Sequence, residues 1–135
     1  MKLRGMVMTE VLVGLLVLGL AGTAVLALAL DAFAAIAEAR RTELAASLAA
    51  DLAGRVRALS AVDWTTLPPA LPCGAACAPE QLAALELAQW RTDVATTLPD
   101  GRAELVSGGP TQFVLTLAWT DTGAETRELS LGIAR

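Results

Sequence analysis

Residues able to do chemistry are few in this chain. There is no histidine, so neither the usual general base near neutral pH nor the commonest metal ligand is present. Two cysteines, Cys73 and Cys77, are spaced four apart, and without histidine they cannot complete a typical structural zinc site. A thioredoxin-type centre needs Cys-x-x-Cys in a βαβ setting, and neither is found. In an exported, oxidising compartment the pair reads as a small structural disulfide, with free thiols as the alternative. The remaining candidates are carboxylates, and one stands out by position: Glu10, at the front of a long apolar run. An acidic side chain at a helix centre in lipid costs about 2.5 to 3.5 kcal/mol and less near the interface, so such residues tend to be functional, although a glutamate snorkelling toward headgroups is the bland alternative.

The element carrying Glu10 dominates the composition. The chain has 135 residues, of which 55% are hydrophobic and 18% charged, yet Val11 to Leu30 holds no charge at all. At about 1.5 Å per residue this run covers roughly 30 Å, the thickness of a bilayer's hydrocarbon core. It is the one segment able to cross a membrane. Lys2 and Arg4 before it and Asp31 after it favour a cytoplasmic N-terminus, although Arg40 and Arg41 weaken that bias. A cleavable secretory signal competes with a retained anchor, since Ala27-Leu28-Ala29 offers small residues for cleavage. The run exceeds the usual 7 to 15 residue signal core and continues without a proline into a further helical pattern, which favours the anchor.

Beyond Asp31, Leu44, Leu48, Leu52, Val56 and Leu59 recur at helical spacing, predicting one helix from about residue 7 to 60 whose outer half has a single apolar stripe. The charges of this stem read as a solvated face. Pro68, Pro69, Pro72 and Pro79 around the cysteines mark a loop. A second helix is expected from Pro79, with Ala83, Leu87, Trp90, Val94 and Leu98 on its buried stripe and Pro99-Asp100-Gly101 ending it. Alternation predicts strands over 112–120 and 127–133 with a turn at Asp121-Thr122-Gly123, and a third near 102–106 completes an antiparallel meander. The expected fold class is therefore α+β, a long N-terminal helix packed on a small head.

The string Lys2-Leu3-Arg4-Gly5-Met6-Val7-Met8-Thr9-Glu10, running straight into Val11-Leu12-Val13, resembles the processing signal of type IV prepilins and pseudopilins. In that family a short basic leader ends in glycine and a glutamate stands fifth in the mature chain. The resemblance implies cleavage after Gly5 by a prepilin peptidase, N-methylation of Met6, and a formal charge moving from -4 to -6 as Lys2 and Arg4 leave. Glu10 would then pair with the α-amine of a neighbouring subunit and set the register between subunits. Met6 departs from the phenylalanine of most major pilins, and the first helix lacks their prolines. The order of elements resembles the pilin-like plan. Met8 to Leu18, Arg41 to Leu59, Cys77-Ala78-Pro79-Glu80-Gln81-Leu82 through Trp90 to Leu98-Pro99-Asp100-Gly101, and Trp119-Thr120-Asp121 resemble the PilV-type minor pilins, also called type IV pilus modification proteins.

The organisation implied is a leader over residues 1–5, a transmembrane and filament-core helix over 6–30, an amphipathic stem over 31–60 and a periplasmic head over 61–135. The function implied is that of a minor pilin in the bacterial inner membrane, which helps prime a type IV pilus or enters the filament or its tip. Its partners would be the prepilin peptidase, other major and minor pilins and the assembly machinery of the inner membrane, with no cofactor and no metal. A minor pseudopilin of a type II secretion system shares every N-terminal feature. A filament-borne adhesion or DNA-uptake module is a further alternative, but from residue 61 onward four arginines face nine carboxylates, which opposes nucleic-acid binding. No nucleophile with a base, metal cluster or phosphate loop can be assembled, so the reading is not enzymatic.

Overall fold

Apolar residues on every side of one helix segment, followed by a segment with a single buried face, produce two different kinds of structure in this chain. A computed structural model describes residues 3–74 and 76–134, with residues 3–7 described by backbone alone. The element order is α1 (Leu3–Ala58), α2 (Pro79–Thr97), β1 (Arg102–Ser107), β2 (Gln112–Thr120) and β3 (Thr126–Ala134). The fold is α+β. Two compact units divide it, Met1–Ala37 and Glu38–Arg135.

The described residues of the first unit are α1 alone. Every residue from Met8 to Leu28 is exposed, valines and leucines included. Its most apolar window reaches a mean hydropathy of 2.6 with none of it buried, and by length and composition it could span a membrane. A helix apolar all round needs an apolar environment, because water leaves its side chains unfavourably solvated.

The second unit is built around a core shared by α1, α2 and the sheet. Here α1 buries Ala45, Ala49, Leu52, Ala53 and Val56. The leucine stripe expected from spacing is therefore rotated: Leu52 and Val56 are buried, Leu48 and Leu59 pack at the margin, and Leu44 is 43% exposed while Ala45 beside it is covered. The buried face of α1 is thus rich in alanine, and it shares one core cluster with three buried indoles, Trp64, Trp90 and Trp119, of which Trp90 bonds the Leu48 carbonyl of α1. On α2 the buried residues are Ala83, Ala84, Leu87, Trp90 and Val94, followed by Leu98 at the C-cap, so the expected stripe is the one observed. Pro79 stands in the first turn, where its missing N–H costs nothing, and Glu80 lies at the positive end of the dipole. The helix stops as Gly101 N–H donates to the Leu98 carbonyl at 3.0 Å. A Cβ at Gly101 would lie 2.5 Å from the Val94 carbonyl oxygen, so only glycine fits this close turn.

The sheet is an antiparallel meander in the order β1-β2-β3. Central β2 buries Phe113, Leu115, Leu117 and Trp119 on one face, and across it Leu115 pairs with Leu105 of β1 and Leu131 of β3. The β2–β3 connection is longer than the expected Asp-Thr-Gly turn, covering residues 121–125. Its left-handed residue is Ala124, with φ of 60°, and not Gly123.

Candidate functional site

Glu10 lies on the exposed apolar part of α1, its side chain open to the surroundings and without a hydrogen bond or ion pair among the described residues. The local sequence explains this. Neighbours one helical turn away, Val13, Gly14, Val7 and Met6, carry no charge that could compensate a carboxylate. In an apolar medium such a group must meet a cation or lose its charge. The processing residues Gly5 and Met6 fall where no side chain is described, and Lys2 of the leader lies outside the described residues.

Cys73 and Cys77 form a disulfide, with Cα atoms 5.5 Å apart. The bridge closes a short loop just ahead of α2. A second tie was not readable from the sequence: the Gln81 side-chain amide, in the first turn of α2, donates to the carbonyls of Pro69 at 3.2 Å and Leu71 at 2.7 Å. Prolines lack an N–H, so this segment cannot join a ladder, and a side chain takes up its carbonyls instead.

The stem charges also do more than solvate a helix face. Arg55 bonds Asp51 one turn earlier, its Nη2 2.9 Å from Asp51 Oδ2, and also pairs with Glu86 of α2. Its pKa is raised, first by the Asp51 hydrogen bond, with partial burial opposing. A second chain of charges joins α1 to the β2–β3 loop: Arg127 Nε lies 3.1 Å from Asp121 Oδ2 and 3.9 Å from Glu38 Oε1, and Glu38 in turn lies 3.7 Å from Arg41. Asp121 is the centre of this loop. Its Oδ1 accepts the backbone N–H groups of Gly123 at 2.8 Å and Glu125 at 3.0 Å, and its side chain is only 8% exposed. The Glu125 N–H above all, then the Gly123 N–H and Arg127, hold its carboxyl below the ordinary aspartate range.

These groups position structure; none is arranged as a nucleophile with a base. No group of three or more His, Cys, Asp or Glu among the described residues could hold a metal ion. In comparisons with known proteins, no family model, no curated relative and no solved structure matches this chain.

Proposed function

We propose that this chain is a minor pilin of the PilV type, a structural subunit that is held in a bacterial inner membrane and then enters, or helps prime, a type IV pilus. One observation carries the reading: a carboxylate at Glu10, without a partner among the described residues, stands at the front of the all-round apolar part of α1, five residues after Gly5. In a permanent single-span anchor that carboxylate would only snorkel toward the headgroups. A filament gives it a partner, because the α-amine created at Met6 of a neighbouring subunit is a cation that must also leave water, and the two desolvation costs offset each other only when the groups meet. Glu10 then selects the stagger between adjacent helices.

Under this reading the apolar segment serves first in the bilayer and later in a filament core, where neighbouring helices replace lipid. The prepilin peptidase removes residues 1–5 on the cytoplasmic side, and the head stands in the periplasm, where its disulfide is stable. The test is Glu10→Leu in the organism that makes the protein. Glu10→Leu is more apolar and anchors at least as well, yet it should be absent from sheared filaments while remaining in the membrane fraction. Incorporation of Glu10→Leu at the unsubstituted level would contradict the register role.

A further inference from the structure

β3 is an outer strand of the sheet, with β2 as its one strand neighbour. Which of its main-chain groups β2 uses follows from the two hairpins. Gly108 N–H donates to the Gln112 carbonyl and Asp121 N–H to the Glu125 carbonyl, and from each turn bonded and non-bonded pairs alternate along an antiparallel ladder. Both turns lead to the same assignment: Arg127, Leu129, Leu131 and Ile133 bond to β2, while the N–H and C=O groups of Glu128, Ser130 and Gly132 point away from the sheet. No turn, loop or cap bond among the described residues takes up these outward groups. Among the same residues α2 runs close to β1, the other outer strand, whereas β2 alone of the secondary-structure elements runs close to β3. The usual protections of a free edge are missing too: the register with β2 is unbroken by a bulge from Thr126 to Ala134, and the strand holds neither proline nor lysine. Side chains along this edge are also short of partners. On the core side Leu131 is 37% exposed and Leu129 is only partly buried, so two alternate apolar positions lack cover. On the outer side Glu128 is exposed and has no ion pair among the described residues; Arg102 shares its cross-strand row but stands two strands away, beyond Ala118.

We infer that the β3 edge binds an extended segment of another polypeptide as a fourth strand, antiparallel to β3, with apolar residues opposite Leu129 and Leu131 and a basic residue opposite Glu128. A row of outward N–H and C=O groups at alternate residues is matched by one kind of ligand, a second strand, and Glu128, Ser130 and Gly132 each exchange main-chain bonds with it. The apolar residues cover the two leucines on the core side. Charge selects the basic residue, since four arginines stand against nine carboxylates from residue 61 onward. A second copy of β3 is the poorer occupant, because its one cation, Arg127, belongs to the core-side row and is already held by Asp121, which leaves Glu128 unanswered. The inference is independent of the filament reading, since it concerns the head alone and involves neither Gly5 nor Glu10.

The experiment follows amide hydrogen exchange by NMR in the full 15N-labelled chain in lipid nanodiscs, with the capped peptide acetyl-Thr-Val-Thr-Val-Lys-Thr-amide as probe. Without peptide, the amides of Glu128, Ser130 and Gly132 should exchange quickly and those of Leu129 and Leu131 slowly. At ten times the dissociation constant of the peptide, exchange at Glu128, Ser130 and Gly132 should slow about tenfold. N-methylation of the third peptide residue, whose N–H faces Ser130, should weaken binding about tenfold or more, whereas N-methylation of the second, whose N–H faces away, should leave it nearly unchanged. Glu128→Lys should reverse the preference between this peptide and its Lys→Glu counterpart by about fivefold at each, with the remaining amide spectrum intact as a check on folding. Protection of Glu128, Ser130 and Gly132 before any peptide is added would mean that this chain closes its own edge and would overturn the assignment. Unchanged exchange with peptide, equal effects of the two N-methylations, or a charge preference untouched by Glu128→Lys would each overturn it as well.

Discussion

Replacing each tryptophan of the head by phenylalanine separates two effects that burial alone confounds. Trp64, Trp90 and Trp119 are 2%, 1% and 3% exposed, so the cavity left by the lost ring is similar at each site. At about 24 cal/mol per Å3, a residual void of roughly 40 Å3 costs about 1 kcal/mol. The sites differ in hydrogen bonding. Trp90 Nε1 donates to the Leu48 carbonyl of α1 at 2.9 Å, whereas the indole N–H groups of Trp64 and Trp119 are buried without a partner among the described residues. Trp90→Phe therefore loses a further ~1 kcal/mol of net hydrogen bonding, and no more, because the Leu48 carbonyl also accepts the helix's own N–H. Removing an unpaired buried donor instead relieves about 1 to 3 kcal/mol at the other two sites. The expected order is a loss of about 2 kcal/mol for Trp90→Phe and a change near zero or stabilising for Trp64→Phe and Trp119→Phe. Urea unfolding of the full chain in detergent micelles, followed by fluorescence of the two remaining indoles, reads only the unit that holds all three tryptophans. Equal losses at the three sites, or the smallest loss at Trp90, would show that indole hydrogen bonding does not set the order.

Further expectations concern the head's other ties. Asp121 has a lowered pKa in the folded state, so its contribution to stability is complete above the ordinary aspartate range and fades as pH falls through the lowered folded value. Asp121→Asn keeps an acceptor for the loop N–H groups but loses the charge beside Arg127, so its urea midpoint should fall below wild type at neutral pH and converge with it in acid; a pH-independent gap would count against the assignment. Closing a five-residue loop, Cys73–Cys77 should contribute about 2 kcal/mol by the chain-entropy relation. Replacing both cysteines by serine should lower head stability by about that amount without altering helix content, as read by urea unfolding and far-ultraviolet circular dichroism.

Much of this architecture follows from local pattern. Phe113, Leu115, Leu117 and Trp119 alternate so regularly that β2 has the bounds expected of it, and the stripe from Ala83 to Leu98 places α2 correctly. Periodicity fails where it weighs alanine and leucine by hydrophobicity alone: Ala45 is buried and Leu44 is not, a choice made by the packing of the whole core and not by local pattern. Distant partners leave no local trace. Glu38 meets Arg127, and Arg55 meets Glu86, only because the fold brings α1 to the β2–β3 loop and to α2. The same holds for Gln81, whose contacts with the Pro69 and Leu71 carbonyls appear only once the loop is folded back onto α2. At the β2–β3 connection, Asp121 organises five residues by accepting two backbone N–H groups, which moves the left-handed position past Gly123 to Ala124. Glu10 is legible for the opposite reason, since a lone carboxylate at the mouth of an uncharged twenty-residue run needs no tertiary context to be noticed.

What becomes of the first ten residues separates a pilin subunit from an ordinary secreted chain. Intact mass and N-terminal sequencing of the protein extracted from the membrane of the cell that makes it address that directly. A chain beginning at N-methylated Met6, with Glu10 fifth, is expected. A chain beginning near Leu30, just after Ala27-Leu28-Ala29, would mean an ordinary secretory signal and would contradict the pilin reading, as would a chain that retains Gly5.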